Sequence, residues 1–215
     1  MNVMIGKIAV YFASKSGEYL LALREHVFLS FMSLFVAILI GVPLGILCVK
    51  YKSGQKWVVG LFQILRIVPS LAILVLLLPI MGTGDRPAIT ALVILAVPPV
   101  LMNTVAGLEE VPFFMLETAE GMGMTQVQTW WRVRIPLAMP LILAGIKIAM
   151  IEIIASATIA AKIGAGGLGG IILTGLGLYR TDLLLIGGVT VAILSLLAGV
   201  LMDLLDRGIL RYKYI

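Results

Sequence analysis

Apolar residues occupy this chain in long blocks divided by short polar joints. Five blocks, 27–49, 57–81, 87–108, 136–161 and 183–202, reach the roughly 20 residues that a helix needs to cross a bilayer. All are much longer than the about 10-residue alternating segments of a membrane β-strand, which removes a β-barrel. The pattern predicts an all-α polytopic membrane protein with five transmembrane helices, a single domain over 1–215. Residues 1–26 form an outer N-terminal segment, and 109–135 form a long polar loop. Within 1–26, residues 11–23 are expected to lie as a short helix on the outer surface, with Tyr11, Phe12, Tyr19 and Leu20 against lipid. The first apolar block is too long for the h-region of a signal peptide.

Composition agrees. Of 215 residues 61% are apolar and 13% charged, and mean hydropathy is +1.13, which excludes a soluble enzyme and a disordered chain. One cysteine excludes a disulfide scaffold; Cys48 reads as a small core residue. Loop cations set orientation. One side carries Lys50, Lys52, Lys56, Arg132, Arg134, Arg207, Arg211 and Lys213, against Lys7, Lys15, Arg24, Arg86, Lys162 and Arg180 on the other. The richer side is assigned to the cytoplasm, so the N-terminus lies outside, and the C-terminus and the 109–135 loop lie inside.

That loop holds unusually many apolar residues. Pro112 can open a helix. Met115, Ala119 and Met122 follow on one helical face. Gly123 can end the helix in a left-handed cap, and Thr125-Gln126-Val127-Gln128 fits a capping box that starts another. Trp130 and Trp131 suit a membrane interface just before Pro136 opens the fourth span. The predicted order is helix, glycine turn, helix, span. Such a helix either packs on its own span ends or fits a groove in a cytoplasmic partner.

The spacing Glu117-Thr118-Ala119, three residues, Gly123, nine residues, Val133-Arg134-Ile135-Pro136 resembles the Glu-Ala-Ala loop of ATP-binding-cassette importer permeases. Pro69-Ser70-Leu71-Ala72, Asn103-Thr104, Ile135-Pro136-Leu137-Ala138-Met139-Pro140 and Ile163-Gly164-Ala165-Gly166-Gly167-Leu168-Gly169 are similar to segments of the osmoprotectant permeases, importers of glycine betaine, carnitine and choline. The likeness runs over roughly residues 17 to 205. Arg66 and Met102 depart from it, standing where an uncharged glutamine and a basic residue are usual. Methionine importer permeases share the five-span plan and are the nearest competitor.

The resemblance implies a type I importer permease fold. It makes 115–124 the coupling helix that meets an ATPase, with Met115, Leu116, Glu117, Thr118, Ala119, Gly121, Met122, Gly123 and Met124 as contact positions. Pro69, Ser70, Asn103, Gly164, Gly166 and Gly167 become pathway candidates. The implied partners are ATPase subunits, a second permease (copy or paralogue) and an extracytoplasmic solute-binding protein. They exclude nucleic acid. ATP and magnesium belong to the ATPase, and no cofactor is expected on this chain. The expected location is a bacterial cytoplasmic membrane.

The remaining features fit around this reading. Gly164 to Gly169 matches G-x-G-x-x-G but follows a membrane helix instead of a strand, so it is no dinucleotide site. It is either an outer loop or a segment beside the gate. No phosphate-loop motif is present. Charges inside spans need partners or an aqueous face. Arg66 can snorkel to the headgroups or point inward. Lys147 can pair with another helix or with the second permease. Glu152 either faces the pathway, where a carboxylate suits a cation, or neutralises a neighbouring lysine. His26, beside Glu25, reads as a surface residue, and one histidine gives no metal site. Span prolines are hinges for alternating access or shape the packing. Two other functions fit the sequence less well. A secondary carrier using Glu152 and Lys147 as a relay lacks paired halves, and a membrane enzyme lacks a catalytic cluster.

Overall fold

The computed structural model describes residues 2–210, with side chains from residue 4. Nine α-helices lie among the described residues: α1 (Asn2–Lys50), α2 (Lys52–Ile67), α3 (Ser70–Met81), α4 (Asp85–Glu109), α5 (Phe113–Gly121), α6 (Gln126–Thr129), α7 (Ile135–Ala160), α8 (Leu168–Gly177) and α9 (Thr181–Ile209). By length and composition α1, α4, α6 continued into α7, and α9 can each cross a membrane, and α2 with α3 forms a bent fifth crossing. Arg211 and Lys213, used above for orientation, lie outside the described residues.

The second span is therefore broken. Its two halves meet at 97°. Pro69 is the cause. It disfavours helix at the residue before it, and Val68 is extended (ψ 124°). Pro69 then caps α3 with its carbonyl accepting from the Ala72 N–H at 2.9 Å.

The outer segment also differs from expectation. Residues 11–23 are no separate surface helix. They continue α1, kinked where Lys15 leaves helical geometry (φ −131°, ψ 24°). Phe12 and Leu20 are exposed as expected, but Tyr11 is buried against Leu183 and Ile186 of α9. The Tyr19 hydroxyl lies 3.1 Å from that of Thr190. Tyr11 and Tyr19 thus meet α9 where lipid was expected.

The centre of the bundle is α4, wedged between α1 and α7. In lipid, helices associate by close packing of small residues rather than by hydrophobic drive. Gly41 and Gly45 of α1 show this. A methyl on Gly41 would sit 2.8 Å from Val100 Cγ1, and on Gly45 2.7 Å from Thr104 Cβ, both on α4. On the other flank, a methyl on Gly145 of α7 would sit 2.6 Å from Asn103 Cβ. Ala91, Ala96, Ala138 and Ala149 are buried in the same way. Cys48 is buried in this core, as expected.

Lys147 finds its partner within the chain. Its Nζ lies 2.5 Å from Asp203 Oδ1 on α9. At the start of α9, the buried Asp182 carboxylate accepts from Arg180 Nη2 at 2.5 Å. That bond holds the Arg180 pKa above its ordinary value and pins the α8–α9 turn.

Candidate functional site

The loop between α4 and α7 folds as its sequence predicts. Pro112 precedes α5, and at the other end Gly123 takes a left-handed conformation (φ +81°). The Met124 N–H reaches the Ala119 carbonyl at 3.1 Å and the Gly123 N–H reaches Glu120 at 2.9 Å, a Schellman stop. The chain restarts through the predicted capping box. Thr125 Oγ1 accepts from the Gln128 N–H at 3.4 Å, and Gln128 Oε1 accepts from the Thr125 N–H at 2.8 Å. A π-helical turn over Trp130–Arg134 joins this short helix to α7. There Arg134 stacks 4.7 Å over the Trp130 ring and donates to the Leu108 carbonyl at 3.2 Å. The first contact stiffens the turn, and the second fixes it to the end of α4.

Burial divides the loop helix into an anchor and a free face. Ala119 is the anchor, buried in the loop. Glu117, Thr118, Gly121, Gly123 and Met122 are exposed, Leu116 and Met124 are half-buried, and Met115 is 40% exposed. Phe113 and Phe114, at 71% and 60% exposure, extend the free apolar surface. Sequence reasoning missed them because it followed the Met115–Ala119–Met122 stripe, whose middle residue points inward. Their signal was the position directly after the helix-opening Pro112.

The glycine segment lies at the other end of the bundle. Gly164, Gly166 and Gly167 have φ of +82°, +68° and +76°. The segment is held on two sides. The Gly84 N–H, after α3, donates to the Ile163 carbonyl at 2.8 Å, and the Gly167 N–H donates to Glu25 Oε2 of α1 at 2.8 Å. His26 is fully buried beside it, with Nε2 3.1 Å from the Ile154 carbonyl of α7. The surface reading of His26 is thus corrected: the middle of α1 is packed under the glycine turn rather than free. Glu25 and His26 are the residues that sequence reasoning did not connect to this site, being 142 positions from Gly167 in the case of Glu25.

The other pathway candidates fall elsewhere. Pro69 and Ser70 form the bend between α2 and α3. Asn103 donates to the Pro99 carbonyl at 2.8 Å, against Gly145, and serves the α4–α7 crossing. Glu152 is half-buried on α7, within reach of the charge on exposed Arg66. The structure brings the three glycines together. It does not join them to Asn103, or to the α5 loop at the opposite end.

The structure is a helical bundle with one bent span and a capped loop helix, apolar on its free face, between two core spans. The chain matches the family described as binding-protein-dependent transport system inner membrane component over residues 29–211 and belongs to it. It is the permease subunit of an ATP-binding-cassette importer. It is 41% identical to the carnitine transport permease protein OpuCB of Listeria monocytogenes over 88% of this chain and 87% of that protein. It is 37% identical to the glycine betaine/carnitine/choline transport system permease protein OpuCB of Bacillus subtilis over 95% and 94%. Among solved structures, an inward-facing form of the MetNI methionine transporter matches with TM-score 0.80 and 26% identity, over 89% of this chain and 95% of that one.

Proposed function

We propose that this permease carries quaternary-amine osmoprotectants, of the glycine betaine, carnitine and choline class. The observation that supports this most is the 37–41% identity, over most of both chains, to permeases named for those solutes. The methionine reading rests on a shared fold at 26% identity and is the weaker of the two. Selectivity then rests largely with a separate extracytoplasmic binding protein, where an aromatic cage suits a quaternary ammonium. The pathway itself adds Glu152, a carboxylate that suits a cationic solute.

The loop helix is the contact to a partner ATPase. Phe113, Phe114, Met115 and Met122 offer the apolar face, and Glu117 stands exposed on the same helix. ATP-driven closure of two ATPase subunits moves this helix, and the Arg134 contacts pass that motion to α4 and α7. The second permease is a copy or a paralogue. The loop is cytoplasmic and the N-terminus external. The whole chain acts as one membrane domain.

The test is purification from the native membrane with mass identification of the bound chains, then uptake of betaine, carnitine, choline and methionine in vesicles. An ATPase and a binding protein should co-purify, and the first three solutes should compete. Methionine as the only transported solute would overturn the substrate assignment. Transport by the chain alone, without ATP, would overturn the importer reading itself.

A further inference from the structure

Three contacts converge midway along α1, well away from the loop helix. Glu25 lies 25 residues before Lys50, about 37 Å along a helix at 1.5 Å per residue. Its carboxylate takes the Gly167 N–H at 2.8 Å. Gly167 is the residue that caps α8, so this is a charge-assisted bond at a helix N-terminus. A methyl on Gly166 would collide with Glu25 Oε2, and a methyl on Gly167 would sit 3.4 Å from the His26 Cα and Cβ. The two glycines therefore let the turn lie directly on Glu25 and His26. His26 in turn is fixed to α7 through the Ile154 carbonyl. Its Nδ1 is buried with no hydrogen-bond partner among the described residues, so van der Waals contact seats the turn on this ring. One N–H to carboxylate hydrogen bond joins the turn to α1, while α8 packs on α7, where a methyl on Gly169 would collide with the Thr158 carbonyl.

We propose that Glu25 and His26 are positioning residues for transport. Glu25 is a clasp and His26 a seat, which together hold the Gly164–Gly167 turn and α8 against α1 in the closed state and release them once per cycle. One hydrogen bond joins the turn to α1 over two glycines, so this contact can part and re-form without breaking another side-chain hydrogen bond among the described residues. Opening it releases the turn and the start of α8 from α1, while α9 keeps its own contacts to α1 and α7 and the α1–α4–α7 core stays packed. The inference rests on the importer reading above.

The test uses the assembled importer in vesicles, with its ATPase and binding protein. Glu25→Ala should raise ATP hydrolysis in the absence of binding protein about tenfold, the scale set by losing a charge-assisted hydrogen bond. Solute moved per ATP should fall, and Glu25→Gln, which keeps an acceptor, should restore part of the coupling. Hydrolysis and coupling equal to the parent in Glu25→Ala would overturn the clasp. The second test is a cross-link. The 3.4 Å approach suits a disulfide, whose Cβ atoms sit about 3.5–4.5 Å apart. His26→Cys with Gly167→Cys, with Cys48→Ala, should lose uptake more than tenfold when oxidised and regain it with reductant. Full cross-linking with unchanged uptake, or no cross-linking in an inserted protein, would overturn the proposal. No ATP-driven uptake by the parent would instead overturn the importer reading.

Discussion

At the residue scale, small side chains decide the packing and charges find partners inside the bundle. Gly145 touches Asn103 and the Pro99 carbonyl, so Gly145→Val overpacks the α4–α7 crossing. It should destabilise the protein by about 1–3 kcal/mol. Gly199→Ala, whose new methyl meets nothing within 4 Å, should leave the melting temperature in detergent nearly unchanged. Equal melting temperatures for both variants would contradict the packing argument. Lys147 and Asp203 form a partly exposed pair. Lys147 lies inside a span, where an uncompensated charge costs about 2.5–3.5 kcal/mol. Lys147→Ala, which leaves Asp203 without this partner, should therefore lower the melting temperature, and the swap Lys147→Asp with Asp203→Lys should return most of the loss in the same assay.

At the scale of elements, the α2–α3 bend belongs to Pro69. Pro69→Ala allows Val68 to become helical, and the two halves should straighten. Spin labels on exposed Leu61 and Ile80 should then move apart, and an unchanged distance would place the cause of the bend in packing instead. Local signals of this kind made much of the architecture readable from the sequence. Length and apolarity placed the spans, and Pro112, Gly123, Thr125 and Gln128 drew the loop in detail, because capping and turn chemistry act over four or five residues. The Pro69 break was missed because apolarity runs straight through it. Tyr11 and His26 were missed for a different reason. Their partners, Leu183 and Ile154, are more than a hundred residues away, and no local pattern distinguishes a side chain that meets lipid from one that meets another helix. The three glycines were marked as a unit, but the residues they lie on could be found only from the fold.

At the scale of the whole molecule, the two ends of the bundle are built differently. The loop helix presents an apolar face held by one buried alanine and two contacts from Arg134. The opposite end carries the glycine turn on α1. Between them α1, α4 and α7 form a core tight enough to transmit motion. The central claim is that force enters at the loop helix. The most direct measurement is solute accumulation in vesicles loaded with ATP, comparing the parent with Glu117→Lys and Gly123→Val. Both variants alter exposed loop positions, and Gly123→Val also strains a left-handed residue by about 1–3 kcal/mol. Neither touches the core. Parent vesicles should accumulate solute only with ATP, and both variants should insert normally yet lose accumulation and ATPase binding. Accumulation by the parent without ATP, or undiminished accumulation by both variants, would contradict it.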